Sequence, residues 1–163
     1  MKLFIKRELS ASSCEFVVSD ASGNEKYKVN RKQTKVTPNT VYRISDVNGE
    51  GVAAAIRRLP VVGTKTFVLK AYKTHVTFVM VPTQKGIYAY FYGNNWHIRG
   101  DIAAKNFEVI DVDNTEIFSH KCHSDYGELT VVDEENELFC VAAAVCVNLI
   151  NTTEQHVLKT ANI

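Results

Sequence analysis

The chain lacks any apolar run long enough to cross a bilayer as a helix. Its longest such stretch, residues 138–147 (LFCVAAAVCV), is followed by Asn148 and then Leu149 and Ile150; about 20 apolar residues are needed to span the hydrocarbon core. The opening MKLFIKRELS offers only Leu3, Phe4 and Ile5 in succession, too few for the roughly 7–15-residue apolar segment of a secretory signal. No lipidation motif stands at either end. The four cysteines, Cys14, Cys122, Cys140 and Cys146, form no CxxC pair, and without a secretory signal no disulfide framework is expected. A Gly-rich phosphate loop, a nucleophile elbow and HExxH are all missing. No run of Lys or Arg exceeds two residues. These absences leave a non-enzymatic protein without cofactors, expected in the cytosol, with the periphery of a membrane as a second location.

What is present is informative about architecture. The length of 163 residues suits one domain, and the hydrophobic and charged fractions, 45% and 23%, are those of an ordinary soluble protein. The stretch 138–147 is apolar on every side, so as a helix it must be enclosed all round. Asp133, Glu134, Glu135 and Glu137 precede it; carboxylates there suit the positive end of a helix dipole, and Asp133 is the expected N-cap. Three alanines favour helix and keep it slim enough to fit inside a barrel. A buried helix near 134–150 is the first reading, a buried strand the second and a membrane segment the third.

A repeated device organises the rest. Asp20, Asp46 and Asp111 each end an alternating apolar segment, and Gly23, Gly49 and Asn114 follow three residues later. Asp opening a type I turn, with Gly or Asn taking the left-handed position that closes it, is the three-residue hairpin with a bulge. A fourth copy, Asp133 to Asn136, leads into the apolar stretch instead. Segments rich in Val, Ile, Phe, Tyr and Thr lie between these turns. About 12 strands are expected, near 2–8, 14–20, 25–31, 40–46, 51–58, 65–72, 75–82, 86–92, 95–100, 104–111, 115–121 and 127–132. The fold class is mainly β with one buried helix. It is a closed antiparallel barrel around that helix, over residues 1–150, with a polar tail at 151–163. The helix fills a lumen that inward side chains alone would leave empty at this strand number.

The paired Asp-x-x-Gly hairpins, Trp96-His-Ile-Arg-Gly100-Asp101, Phe107-Glu-Val-Ile-Asp111 and the terminal apolar helix occur in that order. The ordered set resembles the LURP-one-related, YxjI-like family of the tubby C-terminal-like superfamily, over residues 1–150. The resemblance implies a 12-stranded barrel around a central C-terminal helix and no established catalytic activity. Tubby domains bind phosphoinositides through basic residues on the barrel exterior, and phospholipid scramblases share the fold. No tubby lipid-binding motif aligns with this chain, so no binding residue is carried over.

Candidate chemistry is sparse. Residues 1–75 hold 14 Lys/Arg against 6 Asp/Glu, and residues 76–163 hold 5 against 12. Early basic strands lying beside later acidic ones would account for this asymmetry; a basic patch for phosphate-bearing partners is the alternative. Lys28, Arg31, Lys32 and Lys35 surround a strand end and its loop, with Arg57 and Arg58 nearby, and are the candidate anion- or headgroup-binding residues. Nucleic acid is not expected, because no stacking aromatic is interleaved with them. Tyr88, Tyr90 and Tyr92 alternate on one strand face and read as core or barrel wall. His120, Cys122 and His123 form the only dense metal-capable group, but a strand splits them between two faces. Arg99-Gly100-Asp101 reads as a turn or bulge. The expected function is a binding module for an anionic phospholipid headgroup or for a protein partner at a membrane surface. A carrier or enzyme with a site at the barrel mouth, and a structural adaptor, are the alternatives.

Overall fold

The computed structural model describes residues 1–8, 14–33, 36, 39–59 and 63–150. The tail expected at 151–163 lies outside them, as does Lys35. Twelve strands run in chain order: β1 (Lys2–Arg7), β2 (Cys14–Asp20), β3 (Glu25–Gln33), β4 (Thr40–Ser45), β5 (Gly51–Arg57), β6 (Lys65–Ala71), β7 (Thr74–Thr83), β8 (Gly86–Tyr92), β9 (His97–Asp101), β10 (Asn106–Ile110), β11 (Glu116–Cys122) and β12 (Gly127–Val131). Helix α1 (Glu137–Asn148) follows a single 3-10 turn, Glu134–Asn136. All twelve strands fall within two residues of the positions expected from the sequence. No helix among the described residues is long and apolar enough to cross a membrane.

The strands form one antiparallel sheet in the order β8-β7-β6-β5-β4-β3-β2-β1-β12-β11-β10-β9. Closure comes from β1 pairing with β12, Leu3 opposite Leu129 and Ile5 opposite Gly127. The barrel is nearly closed rather than fully laddered, because β8 and β9 stand at the two ends of the order. Side chains seal that joint from within. Trp96, in the β8–β9 connection, packs edge-on to Phe91, Phe118 and Phe139, with ring centroids 5.4, 6.1 and 6.4 Å away.

The three Asp hairpins form as their residue types require. In the β4–β5 turn, Asp46 Oδ1 accepts from the amides of Asn48 (3.0 Å) and Glu50 (2.9 Å), and Gly49 takes φ +79°. Asp20 and Asp111 repeat the pattern on Ser22 and Asn24, and on Asp113 and Thr115. Register shifts beside each turn mark the bulges.

Alternation places Leu3, Ile5, Phe16, Val18, Val29, Ile44, Leu69, Phe78, Val109 and Leu129 inside, and Phe139 through Val147 are each no more than 4% exposed. The helix is therefore enclosed on every face. It packs against β5 and β6 on one side and β11 and β12 on the other. The small side chains of Ala53, Ala55 and Ala71 line its approach on β5 and β6, as close helix-to-sheet packing demands.

The N-cap expectation needs correction. Asp133 makes no side-chain bond to the backbone of the first turn; its Oδ2 accepts instead from Asn136 Nδ2 at 2.8 Å. The intervening 3-10 turn moves Asp133 away from the free amides of α1. One of those amides, Leu138 N–H, donates to the Tyr72 hydroxyl at 3.1 Å. Glu137 accepts from the Tyr27 hydroxyl (2.8 Å) and pairs with Lys26, which puts a carboxylate at the positive end of the helix as expected.

Candidate functional site

The candidate site begins with charge. Between Lys26 and Gly100 the sequence has only two acidic residues, Asp46 and Glu50, both in the β4–β5 turn. Strands β3 to β8 therefore form a wall whose cations largely lack carboxylates beside them. The opposite arc carries the acids. Some early cations do pair with later acids: Lys2 with Glu128 at 2.7 Å, and Lys26 with Glu137. Self-neutralisation thus accounts for the β1–β12 joint and the helix start, not for the basic wall.

Register assembles part of that wall into a groove. On the outer face Arg43 sits opposite Ala54, Ala54 opposite Lys70, and Lys70 opposite His75. Lys32, Arg43, Lys70, Lys73 and His75 line an open depression of about 630 Å³ floored by Val41, Val52 and Ala54. Among the described residues no Asp or Glu lines it. Among the described residues none of Lys32, Arg43, Lys70 and Lys73 belongs to an ion pair. Four cations held together without counter-charges repel one another, and an anion relieves that repulsion.

Two local features shape the groove. A Cβ added at Gly51 would stand 2.5 Å from Arg43 Nε, so the absent side chain lets the guanidinium lie across β5. The β6–β7 hairpin closes on Tyr72 and Lys73, with φ +50° and +60°. That two-residue turn ordinarily takes Asn-Gly, because both positions are left-handed. Non-glycine residues here are strained, and each has a use. The Tyr72 hydroxyl accepts from Leu138 N–H, its ring meets Phe139 at 5.7 Å, and Lys73 lines the groove.

The residues singled out from the sequence divide. Lys32 joins the groove. Lys28 is exposed and pairs with Glu25 at 3.4 Å. Arg31 and Arg57 share the parity of buried Val29 and Ala55, so they sit at the barrel mouth on either side of Tyr42. Burial raises the Tyr42 hydroxyl pKa, and the two guanidiniums oppose that rise. Arg58 is exposed beyond the end of β5. Arg43, Lys70, Lys73 and His75 carry no signal of their own in the sequence; the three cations and the histidine stand apart there, and only cross-strand register gathers them.

Other expectations also change. Tyr88, Tyr90 and Tyr92 are not core: they face outward at 63, 40 and 74% exposure. Phe91 takes the inward side, stacked 4.6 Å from Phe78, with Ile87 and Ala89 also packed against the core. Both faces of β8 carry apolar groups, so alternation alone assigns neither inward. His120 is buried while Cys122 and His123 are exposed, and no group of three or more metal-capable side chains occurs among the described residues. Gly100 lies within β9, not between strands, opposite Phe107.

The search of curated proteins finds no match. A solved structure of an Arabidopsis thaliana protein shares the fold, with a TM-score of 0.53 and 11% sequence identity, covering 90% of this chain and 91% of that one. The LURP-one-related family model matches residues 1–148, the span that holds all twelve strands and the enclosed helix. The chain belongs to the LURP-one-related family.

Proposed function

We propose that the protein is a non-catalytic binding module whose outer-face groove takes a phosphate-bearing anion, the headgroup of an anionic phospholipid. The observation that carries this reading is the set Lys32, Arg43, Lys70 and Lys73, gathered around one depression with no carboxylate among the described residues of its lining. Arg43 presents a planar fork suited to two phosphate oxygens, and the lysines add mobile point charges. Each Lys or Arg near an anionic surface contributes about 1 kcal/mol, screened by salt. Arg31 and Arg57 add to the same positive field from the mouth.

Calorimetric titration with inositol trisphosphate, and flotation with phosphatidylcholine vesicles containing phosphatidylinositol bisphosphate, test the reading at two salt concentrations. Binding that weakens with salt and falls about tenfold or more in Lys70→Gln/Lys73→Gln supports it. Wild-type protein that binds neither probe at low salt removes it.

A further inference from the structure

The groove accounts for the cations of the basic wall but not for the aromatic stripe beside it. Tyr88, Tyr90 and Tyr92 project from β8, the strand at one end of the sheet order. Among the described residues none of their hydroxyls has a hydrogen-bond partner. Three exposed tyrosines in a row on one strand carry a substantial apolar area into solvent, and such a patch marks an interaction site.

The stripe and the groove are continuous. Tyr92 sits opposite Thr77 on β7, and the next outward residue on β7, His75, rims the groove. Tyr88 to Tyr92 run two strands from Lys70, roughly 10 Å across the sheet. The outward residues between them include Val68 and Val79, which are 5% and 7% exposed, with Thr66, Thr77 and Val81. No Asp or Glu occurs from Gly51 to Gly100. Strands β5 to β8 thus place no carboxylate between the groove and the stripe.

We propose that the Tyr88, Tyr90 and Tyr92 stripe is the interfacial half of a membrane-docking face. The protein lies with the outer wall of β3 to β8 against an anionic bilayer, cations on phosphates and tyrosine rings at headgroup depth. This inference rests on the groove reading and adds the source of the anion: a lipid surface rather than a soluble polyanion. A free headgroup has no apolar part to cover three rings. A bilayer interface does, and amphipathic tyrosines settle there with the hydroxyl in water. Single-stranded nucleic acid is the other partner that takes aromatics beside cations. Here Tyr88 and Tyr90 pack on each other, with centroids 5.8 Å apart and planes tilted by 37°, rather than standing open for bases.

The test compares wild type with Tyr88→Ser/Tyr90→Ser/Tyr92→Ser and with the conservative triple Phe variant, on the two probes above and on a single-stranded oligonucleotide. The Ser variant is expected to bind inositol trisphosphate within about twofold of wild type. Its binding to phosphatidylinositol bisphosphate vesicles should be about tenfold weaker or worse, and the triple Phe variant should restore it. Vesicle binding unchanged in the Ser variant, with trisphosphate binding intact, overturns the stripe's role and leaves the groove standing. Wild-type protein that binds neither the trisphosphate nor the vesicles at low salt overturns the groove and the stripe together. Oligonucleotide binding tighter than vesicle binding, and lost in the Ser variant, overturns the bilayer as partner.

Discussion

His120 accepts a hydrogen bond at Nε2 from the side-chain amide of Asn148, 3.0 Å away. The same amide nitrogen donates to Ala144 O at 2.8 Å, which fixes its orientation. A nitrogen that donates to a carbonyl cannot accept from an imidazole, so Nε2 must be the unprotonated ring nitrogen. Nδ1 then carries the proton and donates to Lys105 O at 2.7 Å. The ring stacks on Phe107 at 5.5 Å and passes so close to Gly127 that a Cβ there would stand 2.5 Å from Nε2. One neutral histidine thus ties the end of α1 to β11 and to the β9–β10 turn.

That arrangement dictates a pH dependence. Burial lowers the His120 pKa; the Lys105 carbonyl opposes the shift, while the positive charges of Lys105 and His123 reinforce it. In the unfolded chain the imidazole titrates near about 6.5. The folded state therefore binds fewer protons than the unfolded state in the window below that value. Stability rises with pH there and is lost on acidification, by up to about 1.4 kcal/mol per pH unit until the native value is reached. Urea midpoints at pH 7.5, 6.5 and 5.5 check this. His120→Gln removes the imidazole and should flatten the slope; a slope as steep as wild type would assign the titration elsewhere.

The barrel was legible in the sequence because its determinants are local. The Asp-x-x-Gly or Asn turns write their own hydrogen bonds, and an all-round apolar stretch has nowhere to lie but inside. The candidate site was only partly legible. Arg43 and Lys70 lie 27 residues apart and meet through Ala54, because β4, β5 and β6 pair in one particular register. The doublet Arg31-Lys32 stands out in the sequence, yet Arg31 turns to the mouth while Lys32 lines the outer face. His120 was unreadable as a latch, since its partners Lys105 and Asn148 are distant in sequence and adjacent only in the closed barrel. The charge asymmetry between residues 1–75 and 76–163 is the sequence signal that points to the wall as a whole, and the lack of Asp and Glu from Gly51 to Gly100 belongs to it.

Ala143 is fully buried at the centre of α1. Ala143→Asp places a carboxylate where no cation or donor reaches it, at a cost of several kcal/mol even after it takes up a proton. That consumes most of a typical domain's stability of about 5–15 kcal/mol. The variant should be insoluble or lack a cooperative melt by circular dichroism. A soluble, cooperatively melting variant would mean that the helix can leave the barrel without loss of the fold.

The four thiols should separate by reactivity. Cys122 is exposed, Cys14 is half-buried, and Cys140 and Cys146 are fully enclosed. Burial pushes the thiols of Cys140 and Cys146 up, and Cys14 to a lesser degree of enclosure; the thiolate is the reactive form. Ellman's reagent should label Cys122 first and Cys14 more slowly in native protein. Cys140 and Cys146 should react only as the barrel unfolds, so their labelling rate reports its opening. Rapid native labelling of all four would contradict the enclosed helix.

Lys73 separates stability from binding. Its φ of +60° costs a side-chain-bearing residue roughly 1 kcal/mol that glycine avoids, although glycine gives back part of this through greater freedom in the unfolded chain. Lys73 nonetheless occupies the tip of the β6–β7 hairpin, where its ammonium lines the groove. Lys73→Gly should therefore raise the melting temperature, by a few degrees at most for about 0.5 kcal/mol, while it weakens binding to phosphatidylinositol bisphosphate vesicles. Neighbouring Tyr72 must be left in place, since its hydroxyl accepts from Leu138 N–H. The two readouts are to be taken on one preparation. If Lys73→Gly melts higher and binds as wild type, the lysine has no part in the groove. If it melts lower, the left-handed turn is not the strained element that its backbone angle implies.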